Sequence, residues 1–75
     1  MGKGTRILRN NMRLIRQECN GMTQQELADL VGITRQTVNA IEGNKYSPSL
    51  EVGFMIAEVL NAKIDDVFQY DRGAV

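Results

Sequence analysis

The chain has 75 residues, 43% of them hydrophobic and 24% charged, a composition typical of one small soluble domain with a modest core. Nine basic residues balance nine acidic ones, histidine is absent, and Cys19 is the single cysteine. The composition therefore excludes an intrachain disulfide and leaves no plausible metal site, and no apolar run approaches the roughly 20 residues that span a bilayer.

The first predicted element is a helix over residues 6–19. Residues 1–5 are expected to be disordered, because small residues at a terminus have little to pack against. Cys19 is interpreted as a small core residue, and Gly21 can take the left-handed conformation that follows a helix. Four residues at spacings of four, three and four form the predicted inward face: Leu8, Met12, Ile15 and Cys19.

Residues 23–42, TQQELADLVGITRQTVNAIE, are typical of two short helices joined by a tight turn. Thr23 and Glu26 have the spacing of a capping box, which satisfies two of the amide donors that a helix start leaves open. Gly32 is expected to end the helix, because glycine readily takes the positive φ that the turn needs. The inward residues of this helix are Leu27, Ala28 and Val31.

The second helix of this pair has an unusual outer face. Thr34 can cap the helix, and Val38 and Ile41 face the core. Arginine, glutamine and asparagine have the donor and acceptor geometry that fits base edges in the major groove of DNA. An eight-residue helix is about 12 Å long, and the groove is about 12 Å wide. The predicted base-reading positions are Arg35, Gln36, Thr37, Asn39 and Ala40.

A loop and another helix follow. Asn44 is expected to adopt a left-handed conformation, which asparagine tolerates better than most residues. Residues 47–49, Ser-Pro-Ser, are typical of a helix entry, and the helix is predicted to run to about Asn61. Its predicted core residues are Leu50, Phe54, Ile56, Ala57 and Leu60.

Met55 and Val59 lie four apart on the predicted polar side of that helix. They are either scattered surface apolar residues or the seam of a dimer. Residues 64–70 are predicted to form a short closing helix, with residues 71–75 as a tail. No alternating apolar pattern is long enough to demand a strand. The inward residues of the closing helix are Val67 and Phe68.

Residues 12–68 resemble the Xre-type, lambda-repressor-like family of helix-turn-helix DNA-binding domains. The resemblance is carried by MTQQELADLVGITRQTVNAIE, then by NKYSPSL, and by a final IDDVF. It is specific because the capping box, the turn glycine, the core positions and the following segment all fall at the family's spacing. The resemblance implies an all-α, five-helix bundle over residues 6–70, with the helix-turn-helix at about residues 24–42.

The resemblance also implies contacts with the backbone of double-stranded DNA. Arg16 matches an arginine common in the family's first helix, and Gln24 matches a glutamine that touches the DNA backbone. Tyr46 can reach a phosphate with its hydroxyl or pack over the next helix. The backbone amides of the loop around Lys45 are further candidates. The side chains expected at the DNA backbone are Arg16, Gln24, Thr34, Asn44, Lys45 and Tyr46.

The charges are distributed unevenly along the chain. Through Lys45, seven basic residues face four acidic ones, a net charge of +3, whereas beyond it two basic residues face five acidic ones, a net charge of −3. We therefore expect weak binding to random DNA, with specificity supplied by the readout helix.

These observations favour a sequence-specific transcriptional regulator, a repressor, that binds a palindromic operator as a homodimer with half-sites about 34 Å apart. Met55 and Val59 are the candidate dimer interface. One alternative is the antitoxin of a toxin–antitoxin pair, which holds a protein partner as well as DNA. A second alternative is an adaptor that binds no DNA and works through its acidic second half.

An enzyme is not expected. The chain has no histidine, no nucleophile flanked by a base and no phosphate-binding glycine loop, and it is too short to enclose a substrate. No cofactor is expected either. The opening residues, MGKGTR, lead into no long apolar segment, so a cytoplasmic protein without a membrane association is expected.

Overall fold

The computed structural model describes residues 7–71, which form five helices and one small sheet. The predicted disordered segment 1–5, and the predicted tail apart from its first residue, lie outside the described residues. None of the helices in the described part of the chain is long and apolar enough to cross a membrane. In chain order the elements are β1 Ile7–Asn10, α1 Met12–Glu18, α2 Gln24–Val31, α3 Arg35–Glu42, α4 Leu50–Val59, α5 Ile64–Val67 and β2 Phe68–Asp71.

The five-helix bundle is confirmed, but the two ends of the described chain are strands rather than helix. β1 and β2 form an antiparallel pair in which Leu8 lies opposite Tyr70 and Asn10 lies opposite Phe68. The predicted helix over residues 6–19 was therefore wrong over residues 7–11, and the predicted closing helix was wrong after Val67. The spacing of Leu8 to Met12 suits one helical face, but the hydrogen bonds that hold β1 come from residues about 60 positions away.

The hydrophobic core is built mainly from the inward faces of α2, α3 and α4. It is closed by Met12 of α1 and Val67 of α5, both fully buried, and Cys19 packs against its edge as expected. The backbone N–H of Asn11 donates to the carbonyl oxygen of Val67 at 2.8 Å and joins the start of α1 to the end of α5. The buried apolar residues are Met12, Leu27, Ala28, Val31, Val38, Ile41, Ile56, Ala57, Leu60 and Val67.

The core face of α4 was predicted correctly in its second half but not in its first. Ile56, Ala57 and Leu60 are buried as expected, but Leu50 is 73% exposed and Phe54 is 53% exposed. The buried face instead continues through Gly53, which keeps the spacing of three and four residues of a helical face. At Gly53 an added Cβ would lie 3.7 Å from Phe68 Cε2 and 3.9 Å from Ile64 Cδ1, so this glycine sits under α5 and β2.

The helix starts and turns follow the sequence closely. Thr23 and Glu26 form the capping box, and the Thr34 and Ser49 hydroxyls accept backbone N–H groups of α3 and α4. Gly32 ends α2 with a φ of 86°, and Asn44 has a φ of 60°, both in the left-handed region. These local signals fix the direction of α3 relative to α2.

Candidate nucleic-acid interface

Helix α3 is held to the core by one face and presents the other to solvent. Val38 and Ile41 are buried, and they anchor the helix against α2. Arg35, Gln36 and Asn39 are all exposed. The side chains of Arg35 and Gln36 make no hydrogen bond to other residues within 7–71. Their donors and acceptors are therefore available to an outside partner.

The remaining predicted readout positions are less open. Thr37 and Ala40 are half-buried at the edge of this face. The Thr34 hydroxyl oxygen accepts the backbone N–H of Thr37 at 3.1 Å and lies 2.8 Å from the Thr37 hydroxyl. Thr34 therefore acts first as the cap of α3, although its side chain stays exposed beside the readout face.

Arg16 occupies a buried position with partners inside the chain, and its expected phosphate contact stays a prediction. Its side chain is 8% exposed and forms an ion pair with Glu42, with Nε donating to Oε2 at 2.8 Å and Nη2 donating to Oε1 at 3.1 Å. Nη1 donates to the carbonyl oxygen of Met22 at 2.7 Å. The guanidinium therefore ties α1 to the end of α3 and to the residue before the α2 cap.

The side chain of Gln24 is half-buried and is held by two residues of α3. Its Nε2 donates to Glu42 Oε1 at 3.0 Å and to Asn39 Oδ1 at 3.3 Å, which uses both of its hydrogens. A phosphate oxygen requires a donor, and the remaining Gln24 Oε1 is an acceptor. Any phosphate contact by Gln24 therefore falls to its backbone N–H, at the first position of α2, where a helix leaves amide donors open.

Three backbone amides of the loop after α3 are bonded within the chain. The backbone N–H groups of Gly43, Asn44 and Lys45 donate to carbonyl oxygens at the end of α3, so these three amides are not open to a phosphate in this structure. Asn10 Nδ2 donates to the Ile41 carbonyl oxygen at 2.8 Å and to Asn44 Oδ1 at 3.0 Å. The Asn44 amide group therefore keeps its two N–H donors for the outside, which suits an anion.

Lys45 and Tyr46 are both exposed. Tyr46 is 56% exposed, and both of the alternatives for this residue stay predictions. Both side chains can therefore extend from the loop toward a partner that approaches α3.

A polar cleft of about 270 Å³ brings these parts together. It lies between α1, the start of α2 and the end of α3, and Arg13 and Lys45 supply its positive charges. Arg13 and Asn10 were not among the residues expected at the DNA backbone. Arg13 precedes Arg16 by three residues on the same helix, so spacing alone could not tell which of the two is buried. The cleft is lined by Arg13, Gln24, Asn39, Glu42, Gly43 and Lys45.

The candidate dimer residues Met55 and Val59 are half-buried and pack against the core of their own chain. The exposed apolar side chains of α4 are instead Leu50 and Phe54. Beside Leu50 lies an apolar groove of about 130 Å³, whose floor is Gly53. Its other apolar walls are Leu8, Pro48, Ile64 and Phe68.

These features define a helix-turn-helix domain with a polar, outward-facing second helix. The profile of a family described as helix-turn-helix matches residues 12–67. The match covers most of the chain, and the chain therefore belongs to the Xre-type, lambda-repressor-like helix-turn-helix family that its sequence resembles. This is a family of DNA-binding domains and not a class of enzymes.

Relatives with the same description cover nearly all of the chain. It is similar to an HTH-type transcriptional regulator of Archaeoglobus fulgidus, with 45% identity over 65 residues, 87% of this chain and 90% of the relative. A second HTH-type transcriptional regulator, from Methanocaldococcus jannaschii, is 42% identical over 64 residues, 85% of this chain and 96% of the relative. Antitoxin HipB of Escherichia coli K12 is 42% identical over 53 residues, 71% of this chain and 59% of HipB.

Proposed function

We propose that this chain is a sequence-specific DNA-binding regulator of transcription that places α3 in the major groove. The observation that carries the proposal is the outer face of α3, where Arg35, Gln36 and Asn39 are exposed on a helix fixed by buried Val38 and Ile41. Arginine pairs with guanine, and glutamine and asparagine pair with adenine, so this face carries the side chains of direct readout. Thr37 and Ala40 flank it and contact the apolar parts of the bases.

Phosphate contacts on either side of the groove set the orientation of α3. Lys45 and Arg13 supply positive charge at the cleft, and Asn44 supplies two N–H donors. The open backbone N–H at the start of α2 supplies a further donor, assisted by the helix dipole. Tyr46 and Thr34 contribute hydroxyls at the rim. Such contacts position the domain but carry no sequence information themselves.

The functional unit in this proposal is a homodimer on a palindromic operator, because one short helix reads only a few base pairs. The surface that we assign to the dimer is Leu50 and Phe54 together with the adjacent apolar groove, in place of Met55 and Val59. A two-fold interface needs a self-complementary patch. Leu50 and Phe54 form an exposed apolar ridge beside the apolar groove, and together they make such a patch. Each copy can insert its ridge into the groove of the other.

Repression follows from occupancy in this proposal. A dimer that covers two half-sites about one turn of DNA apart blocks access of polymerase to an overlapping promoter.

Within residues 7–71 no group of three or more histidine, cysteine or acidic side chains is placed to hold a metal ion.

The test is selection of binding sites from a random duplex pool at about 150 mM salt, near physiological ionic strength. The wild-type chain is compared with the Arg35→Ala/Gln36→Ala/Asn39→Ala variant. We expect the wild type to enrich an inverted repeat with half-sites about 34 Å apart and the variant to enrich nothing. Alanine favours helix and the three replaced side chains are exposed, so the fold should persist in the variant.

A matched control has three exposed substitutions outside α3: Leu14→Ala, Gln17→Ala and Leu30→Ala. It should enrich the same repeat as the wild type. Absence of any enriched site with the wild-type chain would contradict the proposal, and so would the same site for all three proteins.

The second candidate is an antitoxin that binds a protein partner as well as DNA. The similarity to antitoxin HipB favours it, although the chain matches only 59% of the length of HipB. The two candidates differ in one measurable property. A regulator needs no other protein to bind its operator, whereas an antitoxin also forms a stable complex with the product of a neighbouring gene. Copurification after coexpression detects such a complex.

A further inference from the structure

We propose that Gln24 sets the base preference of Asn39, by forcing that residue to present hydrogen-bond donors to the DNA. The inference rests on the proposed function and concerns one position of the half-site. It follows from a chain of hydrogen bonds that begins at a buried arginine and ends at the readout face. Each link fixes the donor or acceptor character of the next.

The first link is the ion pair of Arg16 and Glu42. Arg16 has only donors, and its Nε and Nη2 both donate to the Glu42 carboxylate. The two side chains are 8% and 5% exposed, so water has little access to the pair. Glu42 is therefore held as an acceptor-only carboxylate that faces α2.

The second link is Gln24. The atom 3.0 Å from Glu42 Oε1 must be a donor, which identifies it as the Gln24 amide nitrogen Nε2. The second hydrogen of the same nitrogen is directed to Asn39 at 3.3 Å, so the Asn39 atom at that place must be the acceptor Oδ1. The orientation of both amides thus follows from the charge of Glu42.

The third link is the contact between Asn39 and the major groove. With Oδ1 turned toward Gln24, Asn39 presents the two hydrogens of Nδ2 outward from an exposed position of α3. Guanine offers two acceptors in the major groove, N7 and O6, whereas adenine pairs N7 with the donor N6. A side chain that presents donors alone therefore favours guanine. An asparagine free to turn forms the two-bond pair with adenine instead.

The experiment is site selection with four proteins: the wild type, Asn39→Ala, Gln24→Met and Gln25→Met. Asn39→Ala identifies the position that Asn39 reads, because preference is lost there and kept elsewhere. We expect guanine at this position for the wild type. In Gln24→Met the guanine-to-adenine ratio should fall by about fivefold or more at this position only, the size expected for one hydrogen bond.

Gln25→Met is the matched control, because Gln25 is the next residue of α2 and donates to Asp29 on the outer side of that helix at 2.9 Å. It should keep the wild-type preference at every position. Gln24→Ala serves as a second variant if methionine disturbs the fold. A role of Gln24 in stability alone would lower affinity for all sequences equally and would leave the ratio unchanged.

The outcomes separate the inference from the function. Adenine at the Asn39 position of the wild type, an unchanged ratio in both Gln24 variants, or no effect of Asn39→Ala would overturn the inference and leave the proposed function standing. Failure of the wild type to enrich any site overturns the proposed function and the inference together.

Discussion

Arg16 and Glu42 bury an ion pair between α1 and the end of α3. Removal of one partner leaves a buried charge without compensation, which typically costs about 3–5 kcal/mol. We predict that Arg16→Met lowers the free energy of unfolding by this amount, and that the exposed neighbour substitution Arg13→Met changes it by less than about 0.5 kcal/mol. Urea denaturation followed by helical circular dichroism, at one fixed protein concentration, measures both.

The double variant Arg16→Met/Glu42→Leu separates the charge from the packing. Replacement of a whole buried pair by apolar side chains is often close to neutral, so the double variant should recover most of the stability that Arg16→Met loses. A double variant as unstable as the single one would show that the loss comes from packing or from the bond to Met22.

The sequence predicts which residues of α3 face outward, because two apolar residues three apart orient so short a helix. It does not predict the partners of the polar residues. Arg16 and Glu42 are 26 positions apart, and Gln24 and Asn39 are 15 apart. Only the packed arrangement of α1, α2 and α3 brings these pairs together. Some of the side chains expected at the DNA backbone, such as that of Lys45, are therefore exposed, whereas others form hydrogen bonds within the protein.

Helix α4 has a glycine on its buried face. Gly53 faces Phe68 and Ile64 across a distance that leaves room for a methyl group at ordinary contact. Alanine is about 1 kcal/mol more favourable than glycine inside a helix. We predict that Gly53→Ala raises the free energy of unfolding by about 0.5–1 kcal/mol.

The matched control for that prediction is Gly32→Ala in the helix-turn-helix turn. No atom within 4 Å obstructs a Cβ at Gly32, but its φ of +86° strains any residue with a side chain. This variant should lose about 1 kcal/mol or more. Thermal or urea unfolding of the two variants and of the wild type measures both changes in the free energy of unfolding. A loss of stability in Gly53→Ala would mean that α5 and β2 pack more tightly on α4 than these distances indicate.

The helices could be predicted from local signals, whereas the sheet could not. Capping boxes, serine and threonine caps and a turn glycine lie within a few residues of the elements that they bound. β1 and β2 have four residues each and depend on pairing between Ile7 and Asp71, at opposite ends of the described chain. Leu50 and Phe54 were wrongly predicted to face the core for a similar reason, because α4 is apolar on more than one side and its first half packs through Gly53 against Phe68 and Ile64.

The whole molecule carries a net charge of zero, with seven of its nine basic residues at or before Lys45. Arg13 and Lys45 lie at the cleft beside α3, whereas Glu51, Glu58, Asp65 and Asp66 are exposed on α4 and α5. With few phosphates neutralised by each copy, a single domain holds DNA weakly. The affinity of the proposed regulator therefore depends on joining two copies, and the surface that joins them is decisive.

We predict that Leu50→Glu/Phe54→Glu converts the protein to a monomer. Both side chains are largely exposed in one chain, at 73% and 53%, so their replacement should leave the fold of each copy intact. In the proposed dimer they are buried, and each buried apolar side chain contributes about 1.5–3 kcal/mol. The loss should raise the dimer dissociation constant by more than about tenfold, which analytical ultracentrifugation over a concentration series measures.

The control is Leu30→Glu on α2, a leucine that is 62% exposed and lies on neither proposed surface. It places a glutamate at an exposed leucine outside the proposed dimer surface and should leave the dimer unchanged. Operator affinity should fall in Leu50→Glu/Phe54→Glu but not in Leu30→Glu, because only the first variant separates the two readout helices. If the double variant sediments as a dimer and binds the selected inverted repeat with wild-type affinity, the interface lies elsewhere on the molecule. If the wild type itself is a monomer at all concentrations, two copies meet only on DNA, and the same double variant then loses cooperative binding to the repeat.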